Sequence, residues 1–180
     1  MRPLREIFRS YAVLESGVHV NGCDKESNHS YGDAYDSLLD RSAVRLMLEV
    51  GVADGSSLLA WQEAFPNAVV VGMDIHPAQR WSGEFHLGDQ RSKEDCERAI
   101  AGRQFDLIVE DATHGLQNTL LTLLYLWPFV TPGGLYIVEE FANIGALRDN
   151  IQALWPDAKI VDTIGPFGGV EPLVVFRRTL

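Results

Sequence analysis

Three acidic residues and one histidine, at the ends of two predicted strands, are the clearest candidates for chemistry in this sequence. Asp111 follows one apolar run of strand character, and Glu139 with Glu140 closes the next. His114 lies three residues after Asp111. Because the carboxyl ends of neighbouring parallel strands meet at one edge of a sheet, we expect these side chains to converge. The sequence therefore predicts an acidic site with an imidazole beside it.

Carboxylates gathered in one place repel each other unless a cation lies among them or one of them is protonated. Oxygen ligands suit magnesium or a similar hard divalent ion. A neutral imidazole can take a proton from a hydroxyl group, which a nearby metal ion makes more acidic. We therefore expect Asp111, Glu139 and Glu140 to hold a metal ion and His114, with Asp111, to be catalytic. Helix capping and solvated surface glutamates remain the alternative.

A glycine-containing turn from Glu49 to Gly55 is the second candidate site. It lies where the first core strand meets the helix that follows it. Gly51 and Gly55 can adopt conformations and close approaches that a side chain forbids, so the backbone there can contact a ligand just before a helix N-terminus. Open α/β sheets bind ligands in the crevice beyond their strand ends. A tight turn in any α/β domain would also explain two glycines.

Polar residues after the next strand indicate the kind of ligand. Asp74, followed by Ile75, ends the second core strand, where a carboxylate can accept hydrogen bonds from both hydroxyl groups of a ribose. Asp89 and Gln90 supply polar groups that could contact an adenine amino group. Asp74 could instead cap a helix, and Asp89 could belong to a turn. Their order along the chain favours a nucleoside-containing ligand.

Alternating strands and helices must position these residues. Apolar, β-branched runs predict strands over residues 44–50, 68–73, 105–110, 134–140, 158–164 and 172–176. The helices between them are predicted from three apolar patterns: Leu58, Trp61 and Phe65 on one face, Leu116 to Trp127 apolar nearly all round, and Ile144, Leu147, Ile151 and Leu154 on one face. The alternation indicates an α/β fold with a mostly parallel sheet. Only GPFGGVE separates the last two strands, so they should pair as an antiparallel hairpin.

The first 41 residues lack clear strand signals. We expect a helix near Leu4 to Leu14, a polar loop, and a second helix around Asp33 to Leu39. This segment is interpreted as part of the same domain as the core over residues 42–180.

Composition and charge limit the classes of function. A chain of 180 residues with 46% hydrophobic and 22% charged residues has the size and composition of one globular domain. Its formal net charge of −10 disfavours a nucleic-acid partner. No signal peptide or membrane span is predicted, which favours a cytoplasmic protein without a membrane partner. Cys23 and Cys96 are interpreted as reduced and structural. The oligomeric state stays open, a homo-oligomer included.

Over residues 43–180 the sequence resembles the class I S-adenosylmethionine-dependent methyltransferases. Their first motif commonly has an acidic residue followed by three alternate glycines. Here Glu49, Gly51 and Gly55 match, and Ala53 replaces the middle glycine. The resemblance implies a Rossmann-like sandwich with a mostly parallel seven-stranded sheet and an antiparallel terminal hairpin. It also implies that the turn surrounds the amino acid end of the cofactor, with Asp74 and Ile75 at the ribose and Asp89 and Gln90 at the adenine.

VEDATHG followed by LYIVEE is similar to the metal-dependent sugar O-methyltransferases of the macrocin and mycinamicin type. By that likeness Asp111 and Glu140 bind Mg²⁺, Glu139 assists, and His114 is the base. Asp111 would also border the cofactor. This group usually has aspartate at the position of Glu140.

Residues 24–31 also resemble a D-K-x-x-x-H-x-Y pattern that precedes the core in this group. We expect this segment to fold over the cofactor, with His29 and Tyr31 facing the site. A surface loop leading into an amphipathic helix is the alternative.

The sequence therefore predicts methyl transfer from S-adenosylmethionine to a hydroxyl group of a small molecule, such as a sugar moiety or a natural product. A metal-independent methyltransferase for another acceptor is one alternative. A nicotinamide-dependent oxidoreductase is disfavoured by the missing G-x-G-x-x-G spacing. The third alternative is a non-catalytic binding domain that has the methyltransferase fold.

Overall fold

A seven-stranded sheet flanked by helices forms the centre of the protein in the computed structural model, which describes residues 1–15, 18–140, 151 and 155–179. A short 3₁₀ turn over Trp127–Phe129 precedes β7. In chain order the elements are α1 (Leu4–Ser10), β1 (Ala12–Glu15), β2 (Val18–Gly22), α2 (Gly32–Leu38), β3 (Leu46–Val50), α3 (Ser56–Ala64), β4 (Val69–Asp74), β5 (Glu84–Leu87), α4 (Lys93–Ile100), β6 (Phe105–Glu110), α5 (Leu116–Leu126), β7 (Val130–Val138), β8 (Lys159–Ile164) and β9 (Val170–Arg177).

The strand order of the sheet is β5-β4-β3-β6-β7-β9-β8. The strands β3 to β7 run parallel, and β9 is antiparallel to both β7 and β8. The chain moves outward from β3 to β5 and then returns to place β6 on the other side of β3. This reversal of direction leaves a crevice at the carboxyl ends of β3 and β6, where open α/β sheets bind ligands.

Helices cover both faces of the sheet. On one face, Phe8 of α1, Tyr35 of α2 and Trp61 of α3 pack edge to face, with ring centroids 4.8 to 6.0 Å apart. The other face packs against α4 and α5. Neighbouring residues of β3 point to opposite faces, Met47 to the first and Leu48 to the second, and both are fully buried. Because both faces of these strands are buried, their sequences are nearly continuous runs of apolar residues.

The predicted sheet is confirmed, including its antiparallel terminal hairpin. β6 has the predicted bounds, whereas β7 begins earlier, at Val130. Its pairing with β6 shifts register between Phe105 and Leu107, and residues Thr131 to Gly134 form an irregular part of the strand there.

The prediction of helix without strand in the first 41 residues was wrong. The first helix ends at Ser10, and β1 pairs with β2 in a separate two-stranded antiparallel sheet. The backbone N–H of Cys23 donates a hydrogen bond to the carbonyl of Tyr11 and extends the pairing of the two strands at the open end of the hairpin. The second helix lies where it was expected.

Two other helix predictions have different outcomes. α5 was expected to be apolar nearly all round, yet Leu116 and Leu124 are exposed while Thr119 and Thr122 are buried. The predicted helix through Ile144, Leu147 and Leu154 lies outside the described residues, apart from Ile151, which is buried. Among the described helices, none is long and apolar enough to cross a membrane.

Candidate active site

A cavity of about 540 Å³ opens at the carboxyl ends of the central strands. It extends from the turn after β3 to the loops that follow β6 and β7, and residues 22–24 close part of its wall. The site residues predicted from the sequence that line it are Gly51, Asp74, Ile75, Asp89, Gln90, Asp111, His114 and Glu140. Five other residues expected at the site are not among its lining residues: His29, Tyr31, Glu49, Gly55 and Glu139.

The turn after β3 requires glycine at both ends. Gly51 has φ of 86°, and a Cβ atom there would lie 2.2 Å from the carbonyl oxygen of Asp111. Gly55 has φ of 89° and precedes α3, with Trp81 packed against it. Between them Ala53 also adopts a left-handed conformation, with φ of 46°. The turn therefore keeps a glycine-like backbone even where the sequence has alanine.

Asp74 ties the end of β4 to this turn. Its Oδ2 accepts hydrogen bonds from the backbone N–H groups of Val52 and Ala53, at 2.9 and 3.0 Å. Its Oδ1 accepts one from His76 at 2.8 Å. A carboxylate has about four acceptor positions, so Asp74 can still bind a further hydroxyl group. Ile75 beside it is 58% exposed and offers an apolar surface at the cavity wall.

Asp89 and Gln90 differ in what they offer to the cavity. The guanidinium of Arg91 contacts Asp89 at 2.6 Å, and these hydrogen bonds lower the pKa of Asp89. The side-chain amide of Gln90 instead turns inward, where its Nε2 donates to Glu110 and Thr122 at 2.9 Å each. Gln90 thus forms part of the cavity wall while its Nε2 donor is used in the core, and its contact with an adenine stays a prediction.

Lys25 is a site residue that the sequence interpretation missed. Its ammonium group is fully buried and lies 2.9 Å from Glu49 Oε1, 2.8 Å from Asp111 Oδ2 and 2.8 Å from Glu139 Oε2. Tyr35 donates a hydrogen bond of 2.5 Å to the other oxygen of Glu139. Lys25 therefore places a positive charge of the protein itself beside Asp111 and Glu139, two of the three carboxylates for which a metal ion was expected.

Burial and charge oppose each other in this network. Burial disfavours the charged form of Lys25, but attraction to Asp111, Glu139 and Glu49 outweighs burial and raises the pKa of Lys25 well above its ordinary value. Burial raises the pKa of Glu139 well above its ordinary value despite the nearby ammonium group. The pKa of Glu49 is raised for the same reason. Lys25 is the fixed positive charge that lets the two buried carboxylates, Glu49 and Glu139, coexist with the partly exposed Asp111.

These contacts change the roles expected of Glu49 and Glu139. Glu49 is fully buried and also accepts hydrogen bonds from Trp61 Nε1 and Ser57 Oγ. It therefore ties the end of β3 to α3 on the buried side of the turn. Glu139 is 1% exposed, and its two oxygens are bound by Lys25 and Tyr35. Its predicted role as a direct metal ligand does not fit this arrangement.

Asp111, His114 and Glu140 converge at one end of the cavity. One ligand atom from each lies within 4.8 Å of the others, and His114 Nε2 is 3.1 Å from Glu140 Oε2. His114 and Glu140 both adopt left-handed backbone conformations, with φ of 53° and 50°. Burial raises the pKa of Glu140, against the attraction of His29 and His114. The group combines carboxylate and imidazole donors that can bind a divalent ion or move a proton.

The segment from Gly22 to Tyr31, which we call the N-terminal strap, closes the site from outside the sheet. His29 Nε2 lies 3.0 Å from the second oxygen of Glu140. Tyr31 stacks on His29 and its hydroxyl accepts a hydrogen bond from the backbone N–H of Glu140 at 3.3 Å. Tyr31 is fully buried behind Glu140, so it does not face the cavity as expected. The D-K-x-x-x-H-x-Y pattern was the sequence signal for both Lys25 and His29.

The cavity is strongly acidic. Among its described lining residues, the only lysine or arginine is Arg91, which is paired with Asp89. An acidic, partly enclosed crevice attracts cationic ligands and repels phosphate backbones. The carboxylates on its wall are Asp24, Asp54, Asp74, Asp89, Asp111 and Glu140.

Comparison with known proteins identifies the fold. No family model matches the chain. Over 135 residues it is 30% identical to the 8-demethyl-8-alpha-L-rhamnosyl tetracenomycin-C 2'-O-methyltransferase of Streptomyces olivaceus, a match that covers 67% of this chain and 35% of that protein. It is 33% identical over 107 residues to the mycinamicin VI 2''-O-methyltransferase of Micromonospora griseorubida, covering 52% of this chain and 26% of that protein.

Among solved structures, the chain superimposes on the MycE methyltransferase of the mycinamycin biosynthetic pathway, in complex with Mg, SAH and mycinamycin VI, with a TM-score of 0.70. The two share 22% identity over 96% of this chain and 53% of that one. The chain has the class I S-adenosylmethionine-dependent methyltransferase fold. The resemblance to this class and to the macrocin and mycinamicin type of sugar O-methyltransferases is confirmed. The chain spans about a third or less of the length of these two curated relatives.

Proposed function

We propose that this methyltransferase-fold chain transfers a methyl group from S-adenosylmethionine to a hydroxyl group of a small sugar-bearing molecule. The observation that carries the proposal is the convergence of Asp111, His114 and Glu140 on the same cavity as the glycine turn. That cavity provides one place for a nucleoside cofactor and, beside it, a group that can deprotonate a hydroxyl. The names of its relatives state O-methylation of a rhamnosyl tetracenomycin at the 2' position and of mycinamicin VI at the 2'' position.

The cavity suits the cofactor in shape and charge. The turn from Gly51 to Asp54 offers backbone close to the ligand, and Asp74 keeps acceptor capacity for ribose hydroxyl groups. S-adenosylmethionine supplies a methyl group on a positively charged sulfur, which an oxygen nucleophile attacks without further activation. The excess of carboxylates around the cavity favours a ligand with this charge.

The donor set at Asp111 and Glu140 suits a divalent ion. Asp111 uses its Oδ2 to bind Lys25, and Glu140 is 29% exposed at the cavity. These two carboxylates would hold an ion such as Mg²⁺, which would fix the acceptor and make its hydroxyl group more acidic. Lys25 cannot do this for the acceptor because its ammonium group is buried beneath Asp111 and Glu139.

His114 is the proposed base. Its Nε2 is 3.1 Å from Glu140, which orients the ring and stabilises the imidazolium form after proton uptake. The protein's task is otherwise to align the acceptor oxygen with the methyl group and to exclude water.

Methyl transfer by a His114→Ala variant tests this role. We expect turnover with a rhamnosyl tetracenomycin or mycinamicin VI acceptor to fall by about 100-fold or more, the range for loss of a general base. Affinity for S-adenosylhomocysteine should stay near the wild-type value, because His114 lies at the acceptor end. Loss of cofactor binding in this variant would refute the assignment.

Chelation separates the metal-dependent proposal from its main alternative. The buried Lys25 already neutralises part of the carboxylate charge, which favours a metal-independent methyltransferase as the second candidate. Under our proposal EDTA abolishes methyl transfer and Mg²⁺ restores it. Full activity in EDTA would show that the enzyme is a metal-independent methyltransferase.

A further inference from the structure

His29 lies among three carboxylates on the outer side of Glu140. Its Nε2 is 3.0 Å from Glu140 Oε1 and 3.6 Å from Asp24 Oδ2, and its Nδ1 is 3.7 Å from Glu171 Oε2. One imidazole carries at most one positive charge. Within the described residues, His29 is the only ion-pair partner of Asp24 and also the only one of Glu171. The surroundings of His29 therefore have a surplus of negative charge even when the ring is protonated.

A buried nitrogen of His29 also lacks a hydrogen-bond partner. The side chain is 10% exposed, and Nδ1 has no partner within hydrogen-bond distance among the described residues. It faces Glu171 across 3.7 Å, too long for a hydrogen bond. Burying such a nitrogen without a partner is unfavourable unless something else binds there. A bound ion would satisfy both the unpaired nitrogen and the surplus of carboxylates.

The ring is held in place by groups that are not part of this cluster. Tyr31 stacks on it with ring centroids 5.1 Å apart, and Thr163 Oγ1 donates a hydrogen bond of 2.8 Å to the His29 carbonyl. The His29 nitrogens are thus presented to the carboxylates by packing from the strap and from β8. This degree of preorganisation is typical of a binding site.

We propose that His29, Glu140 and Glu171 form a second divalent metal site, adjacent to the one at Asp111 and Glu140. One donor atom from each of the three residues lies within 4.8 Å of the others. Glu140 contacts His29 through Oε1 and His114 through Oε2, so its carboxylate bridges the two sites. A mixed nitrogen and oxygen donor set favours Mn²⁺ or Zn²⁺ over Mg²⁺. The inference extends the proposed function by a second ion that shares Glu140 with the first.

An ion at this position would connect three distant parts of the chain. His29 belongs to the strap, Glu140 follows β7, and Glu171 lies in β9. Binding there would fasten the strap over the cavity, because an ion that binds only the folded arrangement stabilises it. The site would thus link metal binding to closure of the cofactor cavity.

Calorimetric titration with Mn²⁺ alone tests the proposal. The full chain is treated with chelator, dialysed and titrated without cofactor or acceptor. We expect two ions per wild-type chain, and one in each of Glu171→Gln and His29→Phe. The phenyl ring of His29→Phe keeps the stacking on Tyr31 and removes the nitrogens, and Glu171→Gln changes a partly exposed side chain. Glu97→Gln, on the exposed side of α4, is the matched control and should bind two.

Stoichiometry in the variants decides the outcome. If the wild-type chain binds no ion, or if Glu171→Gln and His29→Phe both bind as many ions as wild type, the second site does not exist. Circular dichroism confirms that each variant is folded before titration. Asp111→Asn should lose the first ion and keep the second. Binding of S-adenosylhomocysteine is measured separately, so failure of the methyltransferase proposal is distinguishable from failure of this one.

Discussion

Ala53 adopts a left-handed backbone conformation in the turn between β3 and α3, with φ of 46°. The conformation is imposed by Asp74, which binds the N–H groups of both Val52 and Ala53. For an L-residue this conformation costs about 1–2 kcal/mol relative to a right-handed one. The side chain is exposed, so the methyl group contributes little packing in return.

Replacing Ala53 with glycine should therefore stabilise the protein. Glycine removes the strain but makes the unfolded chain more flexible, which leaves a net gain of about 0.5–1 kcal/mol in the free energy of unfolding. Urea denaturation measures it. Ala60→Gly, inside α3 and buried, is the matched control and should lose about 1 kcal/mol or more. A less stable Ala53→Gly protein would show that the turn is not strained.

At the scale of single residues, the D-K-x-x-x-H-x-Y pattern marks Lys25 but does not predict that its side chain is buried or which residues it contacts. Asp111, His114 and Glu140 follow predicted strands, so strand order alone brought them together. Lys25 lies in an irregular segment and pairs with residues that are 86 and 114 positions away. A lysine in a loop is ordinarily a solvated surface residue, and its burial depends on tertiary contacts that local patterns do not encode.

The N-terminal strap is the element that depends most on this lysine. Breaking a buried ion pair by removing one partner leaves uncompensated charge and costs about 3–5 kcal/mol. We expect Lys25→Met to lose stability in this range at pH 8. Lys25→Met combined with Glu139→Gln should recover part of the loss, because one of the unpaired charges is removed as well.

The free energy of unfolding of Lys25→Met should increase as the pH falls. Burial raises the pKa of Glu139 above its value in the unfolded chain, so between the two values the folded protein binds more protons than the unfolded one. Stability then rises as pH falls through that window. Urea denaturation from pH 8 to pH 5 should show Lys25→Met gaining more stability than wild type. A parallel pH dependence in both proteins would contradict the assignment of Lys25 as the counter-ion.

The elements that were missed have a common physical reason. β5 lies at the edge of the sheet, and its four residues are partly or fully exposed, so Glu84–Leu87 lacks the apolar run by which the buried strands were found. β1 and β2 form a two-stranded ribbon outside the main sheet. β6, buried over nearly its whole length, was predicted to the residue. Sequence patterns therefore located the strands that carry an apolar run, including β8 at the opposite edge of the sheet, and missed β5, β1 and β2.

At the scale of the whole molecule, the chain is acidic, and the cavity where the proposed chemistry takes place is acidic as well. The formal net charge is −10, and carboxylates dominate the cavity wall. The fold class followed from strand order and the terminal hairpin, both of which are set by local patterns and short connections. The acceptor does not follow from them, because its contacts are made by side chains and segments that the class I fold leaves variable.

Titration of the wild-type chain with S-adenosylmethionine and S-adenosylhomocysteine tests whether the acidic cavity binds the methyl donor. Calorimetry at low and high NaCl should show one site for each ligand. The cationic S-adenosylmethionine should lose more affinity in salt, because screening weakens its attraction to the acidic cavity. Ile75→Arg places a bulky cation at the cavity wall and should abolish binding, whereas Leu87→Arg, equally exposed but outside the cavity, should not. A folded wild-type chain that binds neither ligand would contradict the assignment of this cavity as the S-adenosylmethionine site.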